Sequence, residues 1–164
     1  MASIHEGSVH RTYVPLRWND FDRYGHLNNA QYIELAQEAR VKFALTEFPR
    51  AGLKTPMFFL RNLEVDFMKP ILPNKEDRVL IETTVEAIGT TSMTTRQEVK
   101  DPEGRVAAVV RCVSVAMDRE SARPRAISSA EIGVLTQYAE SSEDRGPVGE
   151  LEGPDHGDRE DGAR

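Results

Sequence analysis

A carboxylate, a glycine, an imidazole and two carboxamides stand within one short run, Asp22-Arg23-Tyr24-Gly25-His26-Leu27-Asn28-Asn29. An acid so placed can act as a general base or as a nucleophile. Just beyond it the pattern turns from strand-like to helical, so the acid lies beside the exposed N–H groups of a first helical turn, a place that favours developing negative charge. His26 is a candidate to steer water or substrate, or else a loop histidine whose ring bonds backbone. Gly25 allows positive φ or a close backbone approach. An isolated Asp at position 22 would read as a turn carboxylate; its neighbours make catalysis the stronger reading. Asp20 reads as structural.

The elements that must position this turn are legible on either side. Upstream, Tyr13 to Trp18 reads as a short strand with Val14, Leu16 and Trp18 on one face. Downstream, Tyr32, Leu35, Ala36, Ala39 and Phe43 recur at helical spacing, opposite a narrower polar stripe of Gln31, Glu34, Glu38 and Lys42. Ile33, Val41, Ala44, Leu45 and Phe48 lie outside the main stripe, which predicts a helix from about Asn29 to Phe48 with most of its circumference buried. Asn28 or Asn29 caps its start, Pro49 and Gly52 end it, and Glu38 with Lys42 reads as a helix pair.

Period two then takes over. Phe59, Arg61, Leu63, Val65 and Phe67 alternate with polar or smaller neighbours up to Lys69-Pro70, predicting a long strand with one apolar face. Arg78 to Ile88, Thr91 to Lys100 and Val106 to Met117 predict three more strands, antiparallel in sequence order, with Asp101-Pro-Glu-Gly104 as a tight turn. The last strand is apolar on both faces except for Arg111, which predicts an interior position. Ser128 followed by Glu131 predicts a capped short helix through about Tyr138. Met57, Phe58, Phe59 and Leu60 are candidates to line a pocket, and Thr91 and Ser92 to touch a substrate from a strand end.

A length of 164 residues with 39% hydrophobic side chains suits one core. Residues 141–164 carry eight Asp or Glu against three Arg, so most of the formal charge of −6 belongs to that stretch. Residues 1–11 and 141–164 read as loose, the latter as a disordered acidic tail, leaving 12–140 as the folded domain. With no basic cluster interleaved with aromatics, nucleic acid is not an expected partner. The lone Cys112 sits in an apolar run and fits a reducing cytoplasm. No apolar stretch is long enough to span a bilayer, so no membrane association is expected.

Several chemistries are absent. The chain has no G-x-S-x-G elbow and no phosphate-binding G-x-x-x-x-G-K-[ST] loop, and Cys112 sits mid-strand with no histidine nearby in sequence. Asp20, Asp22 and His26 are a weak set of ligands, and no metal site is expected.

The run Arg17-Trp-Asn-Asp-Phe-Asp-Arg-Tyr-Gly-His-Leu-Asn-Asn-Ala-Gln-Tyr32 resembles the D-x-D-x-x-G-H-x-N-N-x-x-Y signature of hotdog-fold thioesterases of the 4-hydroxybenzoyl-CoA thioesterase-like family. Glu38-Ala39-Arg40, Leu63-Glu-Val-Asp-Phe-Met-Lys-Pro70 and Thr91-Ser92 extend the resemblance over roughly residues 12 to 135. It implies an α+β hotdog fold, a five-stranded antiparallel sheet wrapped around a central helix, and acyl-CoA thioesterase activity without a cofactor. By position it puts the catalytic carboxylate on Asp22, the polarising N–H at or near Asn29, and a supporting histidine on His26. Gly25, Asn28, Phe59, Thr91 and Ser92 would contact substrate. The resemblance further implies a homodimer or homotetramer whose sites combine one copy's helix start with another's strands. Tyr24 occupies a place where related enzymes use an amide. The competing readings are an acyl-CoA-binding module without catalysis and an enoyl-CoA hydratase; the hydratase pattern needs a different Asp-to-His spacing and a Pro that is missing here.

Overall fold

The computed structural model describes residues 8–140, so residues 1–7 and the acidic stretch 141–164 lie outside it. Its elements are β1 (His10–Pro15), α1 (Asn29–Arg50), β2 (Met57–Phe67), β3 (Arg78–Ile88), β4 (Ser92–Lys100), β5 (Val106–Met117) and α2 (Ser129–Leu135). The strands form one antiparallel sheet in the order β1-β3-β4-β5-β2, with α1 packed across one face. This is the expected five-stranded sheet around a helix.

The order differs from the sequence-order expectation at one place. After α1 crosses the sheet, β2 enters at the far edge and pairs with β5, while β1 takes the open side of β3. β5 therefore lies between β4 and β2. That interior position explains why it is apolar on both faces. Its one charge, Arg111, bonds Glu86 at 3.0 Å.

The first strand also differs. It begins at His10, inside the stretch expected to be loose, and ends at Pro15, where the ring removes a ladder donor. Trp18 opens a 3₁₀ turn through Asp20 and is 91% exposed, not part of a buried strand face.

Tyr32, Leu35, Ala36, Ala39 and Phe43 form the buried stripe of α1, joined by Phe48 and by Glu47. Each large apolar side chain so buried contributes about 1.5–3 kcal/mol. Val41 and Leu45 are 49% and 59% exposed, so the helix is less enclosed than its composition predicts. A single sheet covers one flank and leaves the other open. Lys42 donates to the Tyr13 carbonyl at 3.0 Å, taking up a side chain expected to pair with Glu38. Pro49 sits in the last turn of α1, and the chain leaves through Gly52 at φ +77°.

A register shift between Leu60 and Asn62 breaks the alternation expected for β2. Leu63 and Val65 face α1 opposite Cys112 and Val110, and across the shift Phe58 and Leu60 face it too, opposite Ala116 and Ser114. Phe59 stands opposite Val115, on the face turned from the helix. One extra residue reverses the parity of everything before it.

The expected β4–β5 turn and the reciprocal cap of the short helix are present. Gly104, at φ +80°, closes the β4–β5 turn by donating to the Asp101 carbonyl at 2.9 Å. Ser128 and Glu131 cap α2 reciprocally, and Glu131 also pairs with Arg125 at 2.7 Å.

Candidate active site

Residues 20–28 fold back on themselves immediately before α1. The Asn28 N–H donates to the Asp20 carbonyl at 2.8 Å, and the Asp22 N–H to the His26 carbonyl at 2.8 Å, with a bridge between Phe21 and Leu27 in the middle. This small ladder fixes Asp22 relative to the helix start. Gly25, at φ +75°, makes the reversal and donates to the Asp22 carbonyl at 3.0 Å. Two anchors hold the turn to the body. Leu27 donates to the Ile71 carbonyl at 2.8 Å, and the Ile71 N–H donates to the Tyr32 hydroxyl at 3.1 Å. Tyr32 is thus a core side chain that pins the turn.

Asp20, 2% exposed, accepts the Arg17 N–H at 2.7 Å and has the structural part expected of it. Asp22 is partly buried. Its Oδ1 accepts the N–H groups of Tyr24 at 2.9 Å and His26 at 3.2 Å, whereas Oδ2 has no partner among the described residues. Asp22 and Gly25 line an open cleft of about 730 Å³ together with Leu16, Trp18, Phe21 and Pro73. The His26 side chain is exposed, and Tyr24 is turned outward with Arg23 stacked on its ring.

At the tip of α1 most orphan donors are taken. Asn28 Oδ1 accepts the Ala30 N–H at 3.0 Å, and the Asn28 carbonyl accepts the Gln31 N–H at 2.9 Å. The Asn29 N–H has no acceptor among the described residues. A donor at a positive helix end with no protein partner is suited to an oxyanion.

The other proposed contacts do not meet this turn within one chain. Val99 and Ala108 share a cluster with Tyr32 and Leu35, but Met93 clusters with Phe43 and Phe48. Thr91 and Ser92, at the start of β4, thus lie toward the C-terminal end of α1, roughly 25 Å from the Asp22 end at about 3.3 Å per strand residue. The Thr91 carbonyl accepts the Ala116 N–H at 2.8 Å, and the Ser92 carbonyl accepts that of Gly89 at 2.7 Å. Phe59 is at that same end.

A second cavity, about 580 Å³, opens there between α1 and β2, lined by Phe43, Phe48, Phe58, Met93, Thr95 and Arg40 among others. Met57, Phe59 and Leu60 border it, as expected for the 57–60 run. Arg40 donates through Nη1 to Gln97 Oε1 at 2.8 Å and to Cys112 Sγ at 2.9 Å. Burial pushes the Cys112 thiol above its ordinary pKa, an effect Arg40 partly offsets. The cation beside Cys112 is therefore Arg40 of the helix, whereas the adjacent Arg111 is engaged by Glu86. Arg40 and Thr95 were not candidate site residues. Arg40 carries two signals, its place in the Glu38-Ala39-Arg40 run and a cation at the border of an apolar helical stripe.

This architecture recurs in solved structures. A predicted thioesterase from Bacillus stearothermophilus superposes with a TM-score of 0.70 at 24% identity, covering 80% of this chain and 97% of that one. A thioesterase from Thermus thermophilus, complexed with coenzyme A and Zn, does so with a TM-score of 0.65 at 26% identity, covering 76% and 90%. The uncharacterized protein YsmA of Bacillus subtilis (strain 168) is 24% identical over 110 residues, 67% of this chain and 74% of that protein. Residues 16–135 match the family model of the thioesterase-like superfamily, and the chain belongs to that superfamily.

Proposed function

We propose that the protein hydrolyses acyl-CoA thioesters to free acid and coenzyme A. The observation that carries this reading is the unpartnered Asn29 N–H at the tip of α1, held by a short ladder to the Asp22 carboxylate in a cleft. The thioester oxygen sits at the Asn29 N–H, where a developing oxyanion gains a fixed dipole without reorganisation. Asp22, through its free Oδ2, takes the proton of an attacking water, or attacks the carbonyl to form an anhydride that water opens. In the first route the carbonyl bond to sulfur breaks and Asp22 passes the proton taken from water to the leaving thiolate; in the second the thiolate leaves as the anhydride forms and takes up the proton released when water opens it. His26, exposed on the same turn, steers water. The superfamily membership supports the reaction class, and the coenzyme A held by the Thermus thermophilus thioesterase supports the leaving group.

Within this reading the working unit is at least a homodimer. Among the described residues β2 is a free edge, and Leu60, Phe67, Val41 and Leu45 are apolar and about half exposed along it and the adjoining helix flank. Such an edge invites pairing. Two β2 strands joined antiparallel about a two-fold axis bring the Asp22 end of one copy beside Phe59, Thr91 and Ser92 of the other.

Release of free thiol from a panel of acyl-CoAs tests the reading. Turnover with several esters is expected. Tight acyl-CoA binding without thiol release would make the protein a binding module, and loss of enoyl absorbance without thiol would make it a hydratase.

A further inference from the structure

The cavity beneath the C-terminal half of α1 is apolar on its walls but not on its floor. Phe43, Phe48, Phe58 and Met93 supply the walls. Thr95, 2% exposed, lines it with a hydroxyl that has no hydrogen-bond partner, alone in this among buried side-chain polar atoms of the described residues. A buried hydroxyl left unbonded costs about 1–3 kcal/mol, so such a group calls for a partner that the chain does not provide.

Arg40 stands in the same cavity, partly buried. Only its Nη1 is bonded, to Gln97 and Cys112, so the edge formed by Nε and Nη2 is uncommitted among the described residues. No carboxylate of the described residues comes within ion-pairing distance of this guanidinium, although the other partly buried arginines among them, Arg96, Arg111 and Arg125, each have one. Burial pulls the Arg40 pKa down, the mark of a cation short of solvent and counter-charge, yet arginine stays protonated. The open Nε/Nη2 edge is the fork that takes a carboxylate through two parallel bonds. Gln97 is fixed in turn by donating to the Ala36 carbonyl at 2.9 Å and to Thr83 Oγ1 at 3.2 Å, so the fork is held from behind.

We propose that this cavity receives the distal end of the acyl group and selects acyl-CoAs whose chain ends in a carboxylate, bound by the Arg40 fork and the Thr95 hydroxyl. The walls take the methylenes between the thioester and that carboxylate. A cavity of about 580 Å³ is within the ordinary range of small-ligand pockets, about 300–1,000 Å³. Within one chain Arg40 lies eleven residues beyond Asn29 along α1, about 17 Å at 1.5 Å per residue, so the reacting Asp22 is the partner copy's. The inference rests on the thioesterase and dimer readings above.

A matched pair of substrates tests it: adipoyl-CoA and hexanoyl-CoA differ only in the terminal carboxylate. For the wild-type protein kcat/KM is expected to favour adipoyl-CoA by at least about tenfold, since a site built to bond a substrate group rejects the analogue that lacks it. Arg40→Met brings that ratio to about one or below, Arg40→Lys restores part of it, and Thr95→Val lowers it by about threefold to tenfold. A purely structural Arg40 would lower both substrates in parallel and leave the ratio unmoved. A wild-type ratio of one or less overturns the proposal, as does a ratio that survives Arg40→Met and Thr95→Val. If neither ester is hydrolysed, the thioesterase reading fails on its own, and calorimetric titration of the same two ligands decides the cavity. Tighter binding of adipoyl-CoA that Arg40→Met abolishes upholds it, and equal binding of the two overturns it.

Discussion

Asp22 and His26 bond each other twice: the Asp22 N–H donates to the His26 carbonyl at 2.8 Å, and Asp22 Oδ1 accepts the His26 N–H at 3.2 Å. The second bond occupies one carboxylate oxygen and sets the direction of the other. The imidazole takes no part in either bond, so its contribution separates from that of the backbone. His26→Ala is expected to keep the turn and the melting temperature while lowering kcat, and an unchanged kcat would return His26 to the status of a loop residue.

Gly25 carries the reversal at φ +75°, and a Cβ there would meet nothing within 4 Å. The cost of Gly25→Ala is therefore conformational alone, about 1–2 kcal/mol. Urea unfolding should show that loss; an unchanged midpoint would mean the turn adopts another backbone conformation.

Tyr32 joins the helix to the segment that anchors the turn. Tyr32→Phe leaves the Ile71 N–H without its acceptor in a buried place, a loss of about 1–3 kcal/mol. Since Ile71 also holds Leu27, kcat should fall along with stability. A variant equally stable and fully active would show that the turn needs no such anchor.

Oligomerisation should depend on the open flank of α1. Val41→Glu with Leu45→Glu puts charge where both side chains are exposed in the single chain, so the fold should survive and association should not. Analytical ultracentrifugation is expected to give a dimer or larger species for wild type and a monomer, inactive on acyl-CoA, for the double variant. A wild-type monomer with full activity would remove the two-copy site.

His10 gives the stability a pH dependence. Burial lowers its pKa below the ordinary 6.5, against the pull of the nearby Glu47 carboxylate and with Arg50 assisting. Glu47 also accepts the Tyr138 hydroxyl, whose pKa is pushed up to about 12, first by burial and then by that bond. Because folded His10 holds its proton more weakly than unfolded His10, its contribution is complete above about pH 6.5 and is lost as pH falls through the lower folded value. The melting temperature should drop from pH 7.5 to 5.5, and His10→Gln should flatten that drop.

The helix and the turn were legible because their signals are local: a stripe at helical spacing, an Asn at the cap, a glycine at the reversal. The extra residue near Arg61 was not legible, since alternation runs unbroken through it and only pairing with β5 reveals the shift. Trp18 misled because apolar character predicts burial only on average, and the 3₁₀ turn exposes it. The placement of β2 beside β5, and the meeting of Arg40 with Cys112 across 72 residues, depend on how the helix crosses the sheet. No spacing in the chain encodes such a contact.

Thiol release from an acyl-CoA by wild type, Asp22→Asn and Asp22→Ala, with folding of each checked by circular dichroism, is the most direct test. Loss of the carboxylate should lower kcat by at least about a hundredfold in both variants while they remain folded, in line with what a positioned base or nucleophile contributes. Variants that match wild type would contradict the assignment of the chemistry to Asp22 at the tip of α1.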